Sequence, residues 1–242
     1  MDYLSRSKIL LESENVDSLM NKTVAIFGLG GVGSFVADTL ARSGIGKFVL
    51  IDHDTISLSN LNRQLYALHS TLGKYKVDIA KERILDINPD CKIETYKTFV
   101  LNDTIDNFNF QNFDYIVDAI DTVTGKILLI EKAKEYNIPI ISAMGTGNKL
   151  DPSKFQIADI NKTSVCPLAK VMRYELRKRN IKNVKVLFST ETPIDITNNA
   201  IEQEILNNEV SNKHQVPGSV AFVPSIAGIL IAREVILDFI KH

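Results

Sequence analysis

The stretch GLGGVGS sets Gly28, Gly30 and Gly33 at G-x-G-x-x-G spacing, with Gly31 in the same turn, after a β-branched apolar run and before a helical pattern. Such a turn binds phosphate. The first glycine permits the tight turn, the second lets an anion approach the backbone, and the third lets helix pack on strand. The helix N-terminus then faces the anion. Asp52, at the end of the next apolar run, stands where an acid takes ribose hydroxyls. To this point a nicotinamide dinucleotide and ATP are served equally. Asn60, Arg63, Gln64 and Lys76 separate them, because polar and cationic groups suit a triphosphate better than the uncharged face of nicotinamide. Arginine offers phosphate a planar fork of donors and lysine a compact point charge. Together they draw charge from a pyrophosphate leaving group. Any one of them alone reads as an ordinary solvated charge; the set does not.

Further along, VDAID carries Asp121 at the carboxyl end of an expected parallel strand, where ligand groups usually lie, and a metal-binding role is expected for it. Asp118, inside that strand, reads as a cap for the following helix. A second charged region runs from Lys170 to Lys185: Lys170, Arg173, Arg177, Lys178, Arg179, Lys182 and Lys185 face the single acid Glu175. Alone it is as readily a solvated helix face as a phosphate-binding surface; beside an ATP site, RNA is the better partner. Cys166 precedes Pro167 at the start of that helix, where packing is a better expectation than catalysis. His53, His69 and His214 show no metal-ligand spacing.

Several elements must position these groups. Apolar β-branched runs recur at Thr23–Phe27, Phe48–Ile51, Ile93–Val100, Tyr115–Ile120 and Ile138–Ser142, with helical spacing between several of them. Val32, Phe35, Val36 and Leu40 share one helix face that Gly44 ends; Val77, Ala80, Ile84 and Ile87 share another that Pro89 closes. The expected fold is α/β, a Rossmann-like mostly parallel sheet with helices on both faces, extended by a C-terminal α/β segment. We expect one domain over residues 1–242: an N-terminal helical arm at 1–20, a nucleotide-binding half at 21–145, and a half at 146–242 for RNA binding. In that second half a helix is expected from Pro167 to Asn180, a strand from Val184 to Ser189, and a mobile or ligand-ordered loop from Thr190 to Gly218.

Lys plus Arg total 28 against 29 Asp plus Glu, so overall charge selects no partner class. Cys91 and Cys166 are the only cysteines, too few for a disulfide framework or a four-thiolate zinc site. A reducing cytoplasm is expected. The N-terminus lacks the unbroken apolar segment of a signal peptide, and Val220–Ala232, the most apolar stretch, is broken by Pro224 and reads as a buried helix rather than a membrane span.

IDHDTISLSNLNRQ, preceded by GLGGVGS and followed by Gly73, Lys76 and VDAID, resembles the adenylating superfamily that includes ThiF, MoeB and the ubiquitin-activating enzymes. The resemblance implies that Asp52 holds the ATP ribose, that Asn60, Arg63 and Lys76 hold the phosphates, and that Asp121 holds Mg2+. Arg6, in YLSRSKILL, occupies the place of an arginine that family dimers insert into the partner's active site, with Tyr3 where a first arginine usually stands. Arg63, Lys76, Asp121 and Arg6 are thus the expected catalytic set, and a homodimer is implied. The second half, with KTSVCPLAKVMRYELRKRNIKNVKVLFSTETP and PGSVAFVPSIAGILIAREVI, resembles the TcdA or CsdL branch, whose members are tRNA threonylcarbamoyladenosine dehydratases. That branch implies an ATP-dependent, ligase-type enzyme acting on tRNA carrying threonylcarbamoyladenosine, with Lys170, Arg173, Arg177, Lys178 and Arg179 on the tRNA. A cysteine desulfurase or sulfur-acceptor system is a further partner to test. The rivals are adenylation of a ubiquitin-like or sulfur-carrier protein, a nicotinamide oxidoreductase, and a nucleotide-sensing or tRNA-binding module without turnover.

Overall fold

A computed structural model describes residues 3–197, 199–208 and 216–240. Seven strands make one sheet: β1 (Thr23–Phe27), β2 (Lys47–Ile51), β3 (Lys92–Tyr96), β4 (Tyr115–Asp118), β5 (Ile140–Ala143), β6 (Phe155–Asp159) and β7 (Lys185–Ser189). Their order is β3-β2-β1-β4-β5-β7-β6, and only the edge strand β6 runs antiparallel, against β7. The expected mostly parallel α/β sheet is what forms. Strand order reverses at β1, between β2 and β4, and in open parallel sheets the carboxyl ends at such a point are the usual place of ligands.

The helices are α1 (Ser5–Leu11), α2 (Ser13–Leu19), α3 (Gly33–Arg42), α4 (Lys76–Ile87), α5 (Val123–Glu135), α6 (Pro167–Lys178), α7 (Ala200–Asn208) and α8 (Phe222–Ile240). Strand alternation divides the core between the two faces. Val24 and Ile26 of β1 join α3, α4 and α8 on one side, while Ala25 and Phe27 join α5, α6 and the aromatic cluster of Phe108 and Phe110 on the other. Val220–Ala232 is the buried helix expected of it: Val223, Ala227, Ile231, Ala232 and Val235 of α8 are in the core, and Pro224 sits in its first turn, where a missing N–H costs no helix bond. No helix among the described residues is long and apolar enough to cross a membrane.

Three expectations are corrected. Strand β3 stops at Tyr96, whose carbonyl accepts the Asp52 N–H (3.1 Å), and β4 at Asp118, after which the Ala119 N–H donates to Phe27 O (2.8 Å), so each ends level with the end of its neighbour. The segment from Thr190 to Gly218 is not all loop, since α7 lies in it. Asn199 Oδ1 accepts from the N–H groups of Ile201 (3.0 Å) and Glu202 (3.2 Å), which starts that helix. Asn198 and His214 lie outside the described residues.

Candidate active site

The four glycines of the loop after β1 have different surroundings. Gly28 has φ 90°, and a Cβ there would stand 2.7 Å from Ala119 O; a Cβ on Gly33 would stand 1.8 Å from Gly28 O. These two allow strand, loop and helix to meet. Gly31 lies under Pro224 of α8, with a Cβ position 3.0 Å from that ring. Only Gly30 is open, the nearest atom to its Cβ position being Gln64 Nε2 at 3.8 Å. This open position at the N-terminal end of α3 leaves room for an anion.

Asp52 is 8% exposed at the end of β2. Its Oδ2 accepts from Leu29 N–H (2.6 Å) and its Oδ1 from Asp54 N–H (2.9 Å), so the carboxylate is locked against the glycine loop. Lys76, first residue of α4 and 4% exposed, sets its Nζ 2.6 Å from Asp54 and 3.9 Å from Asp52. Asp52, His53 and Asp54 bring one ligand atom each within 4.8 Å of one another, a grouping the histidine spacing did not announce. The Lys76 ammonium already supplies positive charge there. In the turn that follows, Asn60 Oδ1 accepts from Ser57 N–H (3.2 Å). Arg63, half-buried, donates from Nη1 to Ser59 O (2.8 Å) and Asn62 Oδ1 (2.9 Å), and burial lowers its pKa below the usual arginine value. Gln64 is buried against the glycine loop. Asp52, Gln64 and Lys76 thus converge on the carboxyl ends of β1 and β2, with Asn60 and Arg63 on the turn beside them.

Asp121 is exposed between β4 and α5, at the same edge of the sheet. Asp118 is not the cap expected of it, since α5 begins after Thr122 with no side-chain cap bond. Fully buried, it accepts from Lys126 Nζ (3.0 and 3.1 Å) and from Ser142 Oγ (2.5 Å), while Lys126 Nζ also donates to Ala143 O (2.8 Å). One ammonium with no exposed surface therefore fastens α5 to the ends of β4 and β5 and fixes both ends of the loop carrying Asp121. Sequence reading missed Lys126; its signal was a lone lysine ahead of the apolar run ILLI.

The profile of the ThiF family matches residues 4–241. The chain belongs to the ThiF family. It is 46% identical over 244 residues to the tRNA threonylcarbamoyladenosine dehydratase of Bacillus subtilis (strain 168), covering 100% of this chain and 96% of that one. Among solved structures, the Escherichia coli tRNA N6-threonylcarbamoyladenosine dehydratase, TcdA, in complex with AMP superposes with a TM-score of 0.84 at 29% identity, over 98% of this chain and 93% of that one. The same E. coli enzyme in complex with ATP gives 0.83 at 28% identity, over 98% and 94%.

Two other groups lie apart from the glycine loop of this ThiF-family chain. Arg6 is exposed on α1, and the segment before it is anchored at the far end of α3: Leu4 comes within 3.0 Å of the Cβ position of Gly44, and Tyr3 Oη donates to Ala41 O (3.4 Å). Arg6 is therefore not brought to its own chain's loop. From α6 to the start of β7, the seven cations of the basic segment divide. Lys185 pairs with Glu234 (2.8 Å) and Asp238 (2.6 Å) of α8; Arg179 pairs with Glu175 (2.7 Å) and Glu131 (3.2 Å); Arg173 is half-buried and donates to Thr163 O (3.0 Å) and Thr163 Oγ1. Lys170, Arg177 and Lys182 are exposed and make no ion pair among the described residues.

Cys166 is 1% exposed in the core at the start of α6. Nearby, Lys149 is 4% exposed and donates to Gly145 O (3.1 Å); burial pulls its pKa below the usual lysine range, against the opposing pull of Cys166 and Glu191. Cys91 is buried too, its thiol pushed up to about 12 by burial. Both cysteines are free thiols.

Proposed function

We propose that this chain dehydrates threonylcarbamoyladenosine in tRNA, using ATP, through an acyl adenylate. The observation that carries the reading is the open Gly30 turn with buried Asp52 and Lys76 at one strand edge, in a chain 46% identical over its whole length to a relative of that name. A carboxylate oxygen of the modified nucleoside attacks the α-phosphorus of ATP and pyrophosphate leaves. The carbamoyl nitrogen of the same side chain then attacks the activated carbonyl, loses its proton and expels AMP, closing a ring. The net change is loss of one water, driven by cleavage of ATP to AMP and pyrophosphate. Ring closure is intramolecular, so orientation supplies much of the second step.

In this reading Gly28, Gly30, Gly31 and Gly33 form the phosphate loop, Asp52 receives the ribose, and Asn60, Gln64, Arg63 and Lys76 surround the phosphates. Arg63 and Lys76 stabilise the charge gathering on pyrophosphate. Asp121, an exposed carboxylate at a strand end, fits Mg2+, which takes one or two carboxylates and completes its shell with water and phosphate oxygens. When bound, Mg2+ would neutralise phosphate charge. Arg6, remote from its own glycine loop, would serve a second copy in a homodimer. Residues 21–145 carry the nucleotide and 146–242 the tRNA and dimer contacts, and the reaction belongs in the cytoplasm with its tRNA.

The test is incubation with ATP, Mg2+ and tRNA carrying the modification. AMP should appear and the nucleoside should lose the mass of one water; neither happening refutes the assignment. Titration with NAD+ should give no binding.

A further inference from the structure

Helix α6 presents an exposed tyrosine in the middle of its cationic face. Tyr174 is 60% exposed. Lys170 precedes it by four residues, and Arg177 and Lys178 follow by three and four, so all three share its side of the helix. Lys178 Nζ lies 4.2 Å from the ring centroid. The helix's one acid, Glu175, is held by Arg179 at 2.7 Å and Lys178 at 3.4 Å, so it does not offset Lys170 or Arg177. The opposite side of α6, Ala169, Met172 and Leu176, is in the core, so the face is presented by a fixed helix. An aromatic side chain set among cations suits unpaired bases, which stack on the ring while phosphates meet the charges. A duplex offers no open base face to such a ring. The helix also starts in the right place: a Cβ on Gly145, at the carboxyl end of β5, would stand 3.9 Å from Leu168 Cβ. Tyr174 lies about 10 Å along the helix from that end.

We propose that Tyr174 is a stacking platform for an unpaired base of the tRNA loop that carries the reacting nucleoside, with Lys170, Arg177 and Lys178 holding the flanking phosphates. The inference rests on the proposed dehydratase reading and adds the single-stranded character of the bound segment. Three forms of the protein, wild type, Tyr174→Phe and Tyr174→Ala, are titrated with an anticodon stem-loop RNA and with a blunt RNA duplex of equal length, at several salt concentrations. Tyr174→Ala should bind the stem-loop roughly ten-fold more weakly, the loss of one base stack, with duplex binding and salt slope unchanged because no phosphate contact is removed. Tyr174→Phe should stay close to wild type. In turnover, Tyr174→Ala should raise KM for tRNA while leaving KM for ATP and the rate at saturating tRNA unchanged. Equal weakening of stem-loop and duplex, no weakening of either, or a Phe variant as impaired as Ala overturns the proposal. Wild-type protein that binds neither RNA overturns it in favour of a protein partner. Wild-type protein that never removes water from the nucleoside sinks the reaction itself; turnover with unchanged binding by Tyr174→Ala sinks only this inference.

Discussion

Lysines at the carboxyl edge of the sheet and lysines on α6 are the same chemical group in opposite surroundings. Lys76, Lys126 and Lys149 are at most 4% exposed, and each is held by a carboxylate or carbonyl at a fixed distance. Lys170 and Lys178 stand in solvent, and of the two only Lys178 has an ion-pair partner among the described residues, Glu175 at 3.4 Å. The buried set supplies geometry: displacing Lys126 would leave desolvated Asp118 unpaired, and displacing Lys149 would strip the Gly145 carbonyl of its donor. The exposed set supplies attraction, which tolerates motion and is screened by salt.

If that contrast is right, Lys126→Met should cost most. It strands Asp118 without a counter-charge in the core, and urea unfolding should show a loss of about 3–5 kcal/mol; a loss below about 1 kcal/mol, the size of a surface pair, would erase the distinction. Lys76→Ala should leave the melting temperature near wild type and tRNA binding intact, yet lower AMP formation by about 10²–10³-fold. Its other role, screening Asp54 from Asp52, is secondary because Asp54 is partly in solvent.

Lys149 gives the contrast a pH signature. Its folded pKa is depressed by burial from the lysine value of 10.5, so in that window the unfolded chain binds more protons than the folded one. Stability from this group therefore grows as pH rises towards the ordinary lysine value and is complete above it. Urea midpoints measured from neutral pH to that value should rise less steeply in Lys149→Met than in wild type. Equal slopes would mean that the ammonium is solvated. On α6 the effects are smaller: Arg177→Ala should weaken tRNA binding several-fold and lower the salt slope by about one, with ATP affinity untouched. Arg179→Ala should change tRNA binding least, because that guanidinium is already engaged by Glu175 and Glu131.

The sequence announces what depends on near neighbours. Gly33 is legible because its constraint, Gly28 O, lies in the same loop, and Gly28 because its positive φ is a local demand, although Ala119 also crowds it; β1, β2, α3 and α4 are legible because a period of two or of about 3.6 is written along each. The site residues Asp52 and Lys76 follow, since each ends or starts one of those elements. The burial of Lys126 is not legible in the same way: Asp118, Ser142 and Ala143 come together around it only when β4 and β5 pair. The basic run shows the opposite failure. Counting cations along the chain cannot reveal that Lys185 is taken up by α8 or Arg173 by Thr163, because those partners come from other elements. Helix α7 was hidden in a polar stretch, although Asn199 was there to start it.

Helix α8 closes over the earliest motif. Pro224 lies on Gly31, and a Cβ on Gly228 would come within 2.4 Å of Val32 O, at the start of α3. During synthesis, then, the glycine loop leaves the ribosome long before the helix that roofs it. A nascent chain paused ahead of residue 222 carries the whole G-x-G-x-x-G signature without the helix that packs on Gly31, so the surroundings of that loop are completed only late in translation.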